Sequence, residues 1–237
     1  MTRNLVSAAA IALLMAATPA LAEEPAVDKS YITFDRAKQD GMTPDKAFEK
    51  LNAGNRRFVE GNMFNRDYQA QAEATAVGQY PFAVVLACLD SRSTPERLFD
   101  QGIGDLFVGR VAGNVVDDDM LGSLEFATRL AGAKLIVVMG HTECGAVKGA
   151  CDGAELGHLT SLLEKIKPAV AATPVAEGAV RDSTNAELVY AVTKLNAELQ
   201  VRDILKRSSI IRELVDQGEL KVIPAMHDIS TGQVEFL

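Results

Sequence analysis

The chain has no tryptophan, and aromatic side chains make up only 5% of it. Any large core must therefore be aliphatic. Basic residues are short relative to acidic ones, 24 against 32, which gives a net charge of −8. With no basic cluster, this argues against a nucleic-acid or anionic-membrane partner. Beyond the first 22 residues no apolar run is long enough to span a bilayer, which takes ~20 residues of helix. Repeats and low-complexity tracts are absent too. Cysteine occurs three times, at Cys88, Cys144 and Cys151, with no Cys-x-x-Cys to suggest thiol redox chemistry.

The start of the chain reads as an export signal. Arg3 precedes the apolar stretch from Leu5 to Ala17, and Ala20-Leu21-Ala22 satisfies the small-x-small cleavage rule. Cleavage after Ala22 would leave Glu23 at the new terminus and place the protein in the periplasm, with no membrane attachment. No cysteine follows the apolar stretch, so a lipoprotein is not expected. Residues 23–42 are polar and read as an extended or weakly helical arm. Residues 43–237 form one further unit, long enough for a single α/β domain.

Within that unit, strands are predicted at 82–88, 106–108, 134–140, 220–223 and 233–237. Helices are predicted at 43–60, briefly at 94–96, and at 122–131, 143–151, 157–167, 185–206 and 208–217. A Pro/Ala/Gly-rich linker is predicted around 168–178. The alternation implies an α/β fold. A mainly parallel central sheet is flanked by helices, with an N-terminal helical arm and a C-terminal edge strand. Thr43-Pro44 begins the first long helix as N-cap and N1, and a partner subunit is one place for it to dock. The acidic run Asp117-Asp118-Asp119 reads as a helix N-terminus, favoured by the helix dipole, not as a cation site.

Ligands of open parallel sheets bind beyond the carboxyl ends of strands. Two apolar runs end there in chemically loaded segments: Cys88-Leu89-Asp90-Ser91-Arg92 and His141-Thr142-Glu143-Cys144. Two thiols and an imidazole suit tetrahedral zinc, with Zn–S of ~2.3 Å and Zn–N of ~2.0–2.1 Å. A disulfide between Cys88 and Cys144 is the alternative in an oxidising compartment. Three protein ligands leave a fourth position, for water or for Asp90, as in catalytic zinc sites. Zinc-bound water loses a proton near pH ~7. Two thiolates weaken that pull, so activity is expected to favour mildly alkaline pH. Asp90 and Arg92 read as a catalytic pair, in which Arg92 holds Asp90 off the metal and aims it at the bound water. A surface ion pair is the bland alternative.

Other residues receive lesser roles. Gly113, in the loop from Arg110 to Asn114, and Gly145, at a helix start, are candidates for lining the substrate pocket. Gly145 would offer N–H groups to an anion such as bicarbonate. Cys151 reads as a small buried hydrophobe, ~10 Å along a helix from Cys144. His158 and His227 read as surface or capping residues. The Gly102-Ile103-Gly104 run precedes a strand and is discarded as a dinucleotide signal.

Together the paired segments resemble the β-class carbonic anhydrases. Ala53-Gly54-Asn55-Arg56-Arg57-Phe58, the run from Gly104 to Asn114, Gly122-Ser123-Leu124-Glu125-Phe126-Ala127 and the final 228–237 segment extend the likeness over most of 43–237. The resemblance implies reversible hydration of carbon dioxide to bicarbonate and a proton through a zinc-bound hydroxide. It implies one zinc ion per subunit on Cys88, His141 and Cys144, with Asp90 and Arg92 as catalytic dyad. It also implies a homodimer or dimer of dimers, with the N-terminal helix reaching across the partner. Val111 and Ser93-Thr94 depart from the family pattern. Val85 stands where a bicarbonate-regulated subgroup has tryptophan, which argues against that regulation here. Two rival readings keep the metal. One is a hydrolase of the same fold acting on another small molecule such as carbon disulfide. The other is a non-catalytic periplasmic zinc-binding protein.

Overall fold

The computed structural model describes residues 33–237. The export signal, its cleavage point and most of the 23–42 arm lie outside the described residues. Five strands form one sheet in the order β2-β1-β3-β4-β5: β1 (Ala83–Ala87), β2 (Leu106–Arg110), β3 (Leu135–His141), β4 (Lys221–His227) and β5 (Val234–Phe236). The first four run parallel, and β5 returns antiparallel along β4. Among the described residues ten α-helices accompany the sheet: α1 (Arg36–Asp40), α2 (Pro44–Val59), α3 (Tyr68–Thr75), α4 (Pro95–Leu98), α5 (Asp118–Glu125), α6 (Gly145–Cys151), α7 (Gly157–Glu164), α8 (Lys167–Ala172), α9 (Ala186–Arg207) and α10 (Ser209–Asp216). The expected mainly parallel α/β architecture is the one observed.

Strand side chains alternate between two covering layers, as the pleat requires. Val84, Leu86, Ile136 and Val138 meet Leu121 and Leu124 of α5, Ile204 of α9 and Ile211 of α10. Val85, Ala87, Val137 and Met139 meet Ala47 and Leu51 of α2, together with Phe82, Leu98 and Phe99. Helix α2 thus docks on its own chain's sheet. A third cluster caps the carboxyl ends of β1 and β3, where Cys88, Cys144, Val147, Leu163, Ile166 and Val192 pack together. The chemistry-bearing residues therefore sit in a layer of their own, above the strand ends.

Three expectations need correction. The linker predicted at 168–178 instead begins with α8, in which Pro168 occupies the first turn and Ala169 is buried. Proline is well tolerated there because its missing N–H would have no intrahelical partner. Strand β4 does not stop at Ile223 but continues through Pro224 to His227. The Pro224 carbonyl accepts from the Leu237 N–H. That side of the residue therefore faces β5, and the ring costs no bond to β3. The helix predicted at 122–131 starts earlier, at Asp118, with the Asp117 carboxylate accepting from the Met120 N–H at 2.9 Å, and ends in a π-turn over Phe126–Leu130. Helix α3 was not anticipated.

Asn55 ties α2 to two distant parts of the chain. Its amide donates to the carbonyls of Leu98 and Gly232, at 3.0 and 2.9 Å, and its oxygen accepts from the Val234 N–H at 2.9 Å. The neighbouring Gly54 lets the backbones touch, since a Cβ there would fall 1.8 Å from the Phe99 carbonyl oxygen. Asn55→Leu would strand three buried backbone groups, at about 1–3 kcal/mol each when not rehydrated. The expected result is a loss of about 3 kcal/mol or more in urea unfolding; an unchanged midpoint would show that α2 is not held this way.

Candidate metal centre

Strand β1 ends one residue before Cys88, and β3 ends at His141. Because β1 and β3 are adjacent and parallel, both ends project the same way. Getting Cys144 back to the same point takes a sharp turn. Glu143 adopts a left-handed conformation, with φ of 59°, and Cys144 becomes the N-cap of α6. Their ligand atoms lie within 4.8 Å of one another, and all three residues are buried. The two sulfurs are 4.0 Å apart, and both cysteines are free thiols. Two sulfurs ~2.3 Å from one tetrahedral ion stand about 3.8 Å apart, so the pair is set for a metal and not for a disulfide.

Ring orientation fits the same ion. The Nδ1 of His141 donates to the Thr142 carbonyl at 2.8 Å, which leaves Nε2 as the lone-pair nitrogen. That Nε2 is buried and makes no hydrogen bond. Thr142 is itself held, its N–H donating to the His227 carbonyl and its hydroxyl accepting from the Ile229 N–H. Backbone N–H groups surround the sulfurs: those of Asp90 and Gly113 face Cys88, and those of Ala146 and Val147 face Cys144. The Cys144 thiol, with smaller help from His141 and these donors, holds Cys88 well below the usual thiol range. The same contact, with burial, pushes Cys144 up. Without a cation only one sulfur is anionic; a dication permits both thiolates. The donor set, the spacing and the bare imidazole nitrogen fit zinc.

Asp90 and Arg92 form the expected pair. The guanidinium donates to both carboxylate oxygens, at 2.9 and 2.8 Å, and the Arg92 N–H donates to the first at 2.9 Å. These bonds hold the Asp90 carboxyl well below the usual carboxylate range. Its second oxygen lies 4.0 Å from His141 Nε2, so the pair borders the metal point. Arg110, at the end of β2, donates to the carbonyls of Cys88, Leu89 and Asp90 and fixes this loop against the sheet edge.

Gly113 is buried beside Cys88, its N–H 3.3 Å from the sulfur. Gly145 is exposed at the start of α6, and the N–H groups of the next two residues face the Cys144 sulfur. Cys151 is half-buried at the end of α6, outside the ligand cluster. His227 is the larger miss. It is buried, in register with His141 across β3 and β4, and not a surface or capping residue. Its signal was present in an apolar run ending in histidine, hidden by Pro224.

A family model described as carbonic anhydrase matches residues 83–234, which include every residue of this centre. This chain belongs to the β-class carbonic anhydrases. The carbonic anhydrase 2 of Mycobacterium tuberculosis is 35% identical over 196 residues, covering 80% of this chain and 91% of that protein. The carbonic anhydrase of Mycolicibacterium smegmatis is 34% identical over 199 residues, covering 81% and 93%. Among solved structures, a tetrameric β-carbonic anhydrase from Sordaria macrospora superposes with a TM-score of 0.60 at 27% identity, covering 71% of this chain and 90% of that one. A β-carbonic anhydrase is thus built here on a Cys-His-Cys cluster flanked by a carboxylate–guanidinium pair.

His227 gives this carbonic anhydrase an acid limit. Burial, with the nearby His141, lowers its pKa to about 4, whereas an unfolded histidine titrates near ~6.5. Between these values the unfolded chain binds a proton that the folded chain refuses, so stability rises with pH and falls on acidification. The loss attributable to His227 reaches about 3 kcal/mol. Urea unfolding of metal-loaded protein at about pH 7 and about pH 5 should show a smaller acid loss for His227→Gln than for wild type. Equal losses would remove His227 from the account.

Proposed function

We propose that the chain catalyses reversible hydration of carbon dioxide to bicarbonate and a proton, with one zinc ion held by Cys88, His141 and Cys144. The observation that carries the reading is the Asp90–Arg92 pair, whose carboxylate stands 4.0 Å from the ligand nitrogen of His141. A sealed structural site has no use for a carboxylate–guanidinium pair at its edge. Zinc would supply the Lewis acidity that makes water acidic near pH ~7.

The chain's own residues do the rest. Both Asp90 oxygens are engaged by Arg92, which holds the carboxylate off the ligand cluster. A carboxyl kept so far below its usual range stays anionic and cannot store the released proton. Its role is to accept a hydrogen bond from the reacting water and turn an oxygen lone pair toward the carbon. A carbon–oxygen bond would then form as one C=O π pair of carbon dioxide moves onto its oxygen, and the O–H proton of the water passes to solvent, leaving bicarbonate. Arg92, about half exposed, keeps that acceptor fixed at the mouth.

Stopped-flow hydration of carbon dioxide, with zinc measured on the same sample, tests the assignment. Stoichiometric zinc with rapid hydration is expected. Asp90→Asn should keep the zinc and lose about 100-fold or more in kcat/KM. Zinc-replete protein that turns over carbon disulfide but not carbon dioxide would favour the rival hydrolase, and no turnover of either an inert zinc protein.

We also propose export and self-association. The Leu5–Ala17 run with its Ala20-Leu21-Ala22 end supports the first. The exposed edge of β2 supports the second. There a groove of about 660 Å³ is lined by Phe107, Val108, Met120 and Phe126, among others, and apolar grooves of this kind favour burial against another surface. Protein recovered from the periplasm should begin at Glu23 by intact mass and scatter light as a multiple of one chain. A full-length cytoplasmic monomer would contradict both.

A further inference from the structure

Helix α9 is the longest in the described chain, and its buried face is mostly apolar: Leu188, Val189, Val192, Ala197, Val201 and Ile204. Two amides interrupt it. Asn196 is fully buried and Gln200 nearly so, at 0% and 6% exposure. Such residues at core positions cost free energy unless every polar atom finds a partner. Theirs lie in the loop after β2. The Asn196 amide donates to the Gly113 carbonyl at 2.9 Å. The Gln200 amide donates to the Asn196 oxygen at 3.2 Å, and the Gln200 oxygen accepts from the Val116 N–H at 2.8 Å. The loop is thus pinned at both ends, to residues more than 80 positions away in sequence.

What the clamp holds is an unfavourable backbone. Gly113 and Asn114 are consecutively left-handed, with φ of 69° and 45°. A Cβ on Gly113 would meet Ile166 Cδ1 at 2.5 Å. This conformation turns the Gly113 N–H onto Cys88 Sγ, 3.3 Å away. The N–H belongs to the peptide before Gly113 and the clamped carbonyl to the peptide after it. The link from Asn196 to the sulfur is therefore positional, through the two Gly113 torsions.

We propose that Asn196 and Gln200 are positioning residues of the metal centre, which hold the Gly113 N–H on Cys88 and thereby set how strongly that thiolate donates to the metal. The inference rests on the zinc reading above. A hydrogen bond to a ligating sulfur withdraws charge from it. It offsets part of the weakening that two thiolates impose on the Lewis acidity of the ion. Groups hydrogen-bonded to metal ligands commonly change affinity or activity ~10–100-fold when removed.

The test uses the full-length mature protein loaded with Co(II) or zinc. Asn196→Ala and Asn196→Asp both lose the amide donor, and Gln200→Leu frees the Val116 N–H and the Asn196 oxygen together. Each should shift the thiolate-to-cobalt charge-transfer band and speed zinc loss to a chelator by about 10-fold. Thr193→Val is the control: Thr193 is buried on the same helix, and its hydroxyl bonds only to the Val189 carbonyl within it. It should lower Tm without moving the band. Unshifted bands and unchanged zinc release in every variant that folds would overturn the proposal, as would an equal shift in the Thr193 control. If neither Asn196 variant folds, Gln200→Leu decides. Wild-type protein that takes up no metal would instead defeat the zinc reading itself.

Discussion

Two sulfurs held 4.0 Å apart in a buried layer dominate this molecule. Two thiolates at that distance repel, and burial removes the water that would screen them. Beside them the His141 nitrogen has no hydrogen-bond partner. A proton kept on Cys144 relieves the repulsion but leaves the imidazole nitrogen bare; a divalent cation would satisfy all three and let both sulfurs be thiolates. The sheet supplies the coarse placement, because adjacent parallel strands carry Cys88 and His141 to the same edge. Fine placement comes from costly backbone: left-handed Glu143 returns Cys144 to the site, and left-handed Gly113 and Asn114 aim an N–H at Cys88.

The surroundings divide into groups that hold the candidate ligands and a pair placed to act beside them. Arg110 grips three successive carbonyls of the first motif from the sheet edge. The Thr142 contacts to β4 and the following turn hold the second motif. Asn196 and Gln200 reach in from α9. On the solvent side stands the Asp90–Arg92 pair, bonded to itself in a way that keeps the carboxylate anionic and away from the ligand cluster. That asymmetry, rigid behind and polar in front, distinguishes a working metal site from a structural one.

Much of this was legible in the sequence, because the evidence there is local. Apolar runs ending in Cys88 and His141 give the strands and point to the residues that the fold brings together, and Thr43-Pro44 gives the start of α2. The misreadings share a cause: a residue whose role is fixed by a distant partner. Pro224 looks like a strand terminator until β5 lies against its carbonyl, and with the strand cut short His227 falls out of view. Pro168 reads as linker because its place in the first turn of α8 is set by packing elsewhere in the fold. Asn196 and Gln200 did leave a trace, two amides four apart on an otherwise apolar helix face, but their targets at Gly113 and Val116 lie in another element. Gly113 reads in the sequence as a small residue beside the site, and Gly145 as a helix start whose N–H groups suit an anion. In the fold Gly113 is small because it packs against Ile166.

X-ray absorption at the zinc edge tests the central claim most directly. The account predicts one zinc per chain with two sulfurs at ~2.3 Å and one imidazole nitrogen at ~2.0–2.1 Å, completed by a single light atom. A shell with one sulfur or none, or a third sulfur drawn from Cys151, would contradict it.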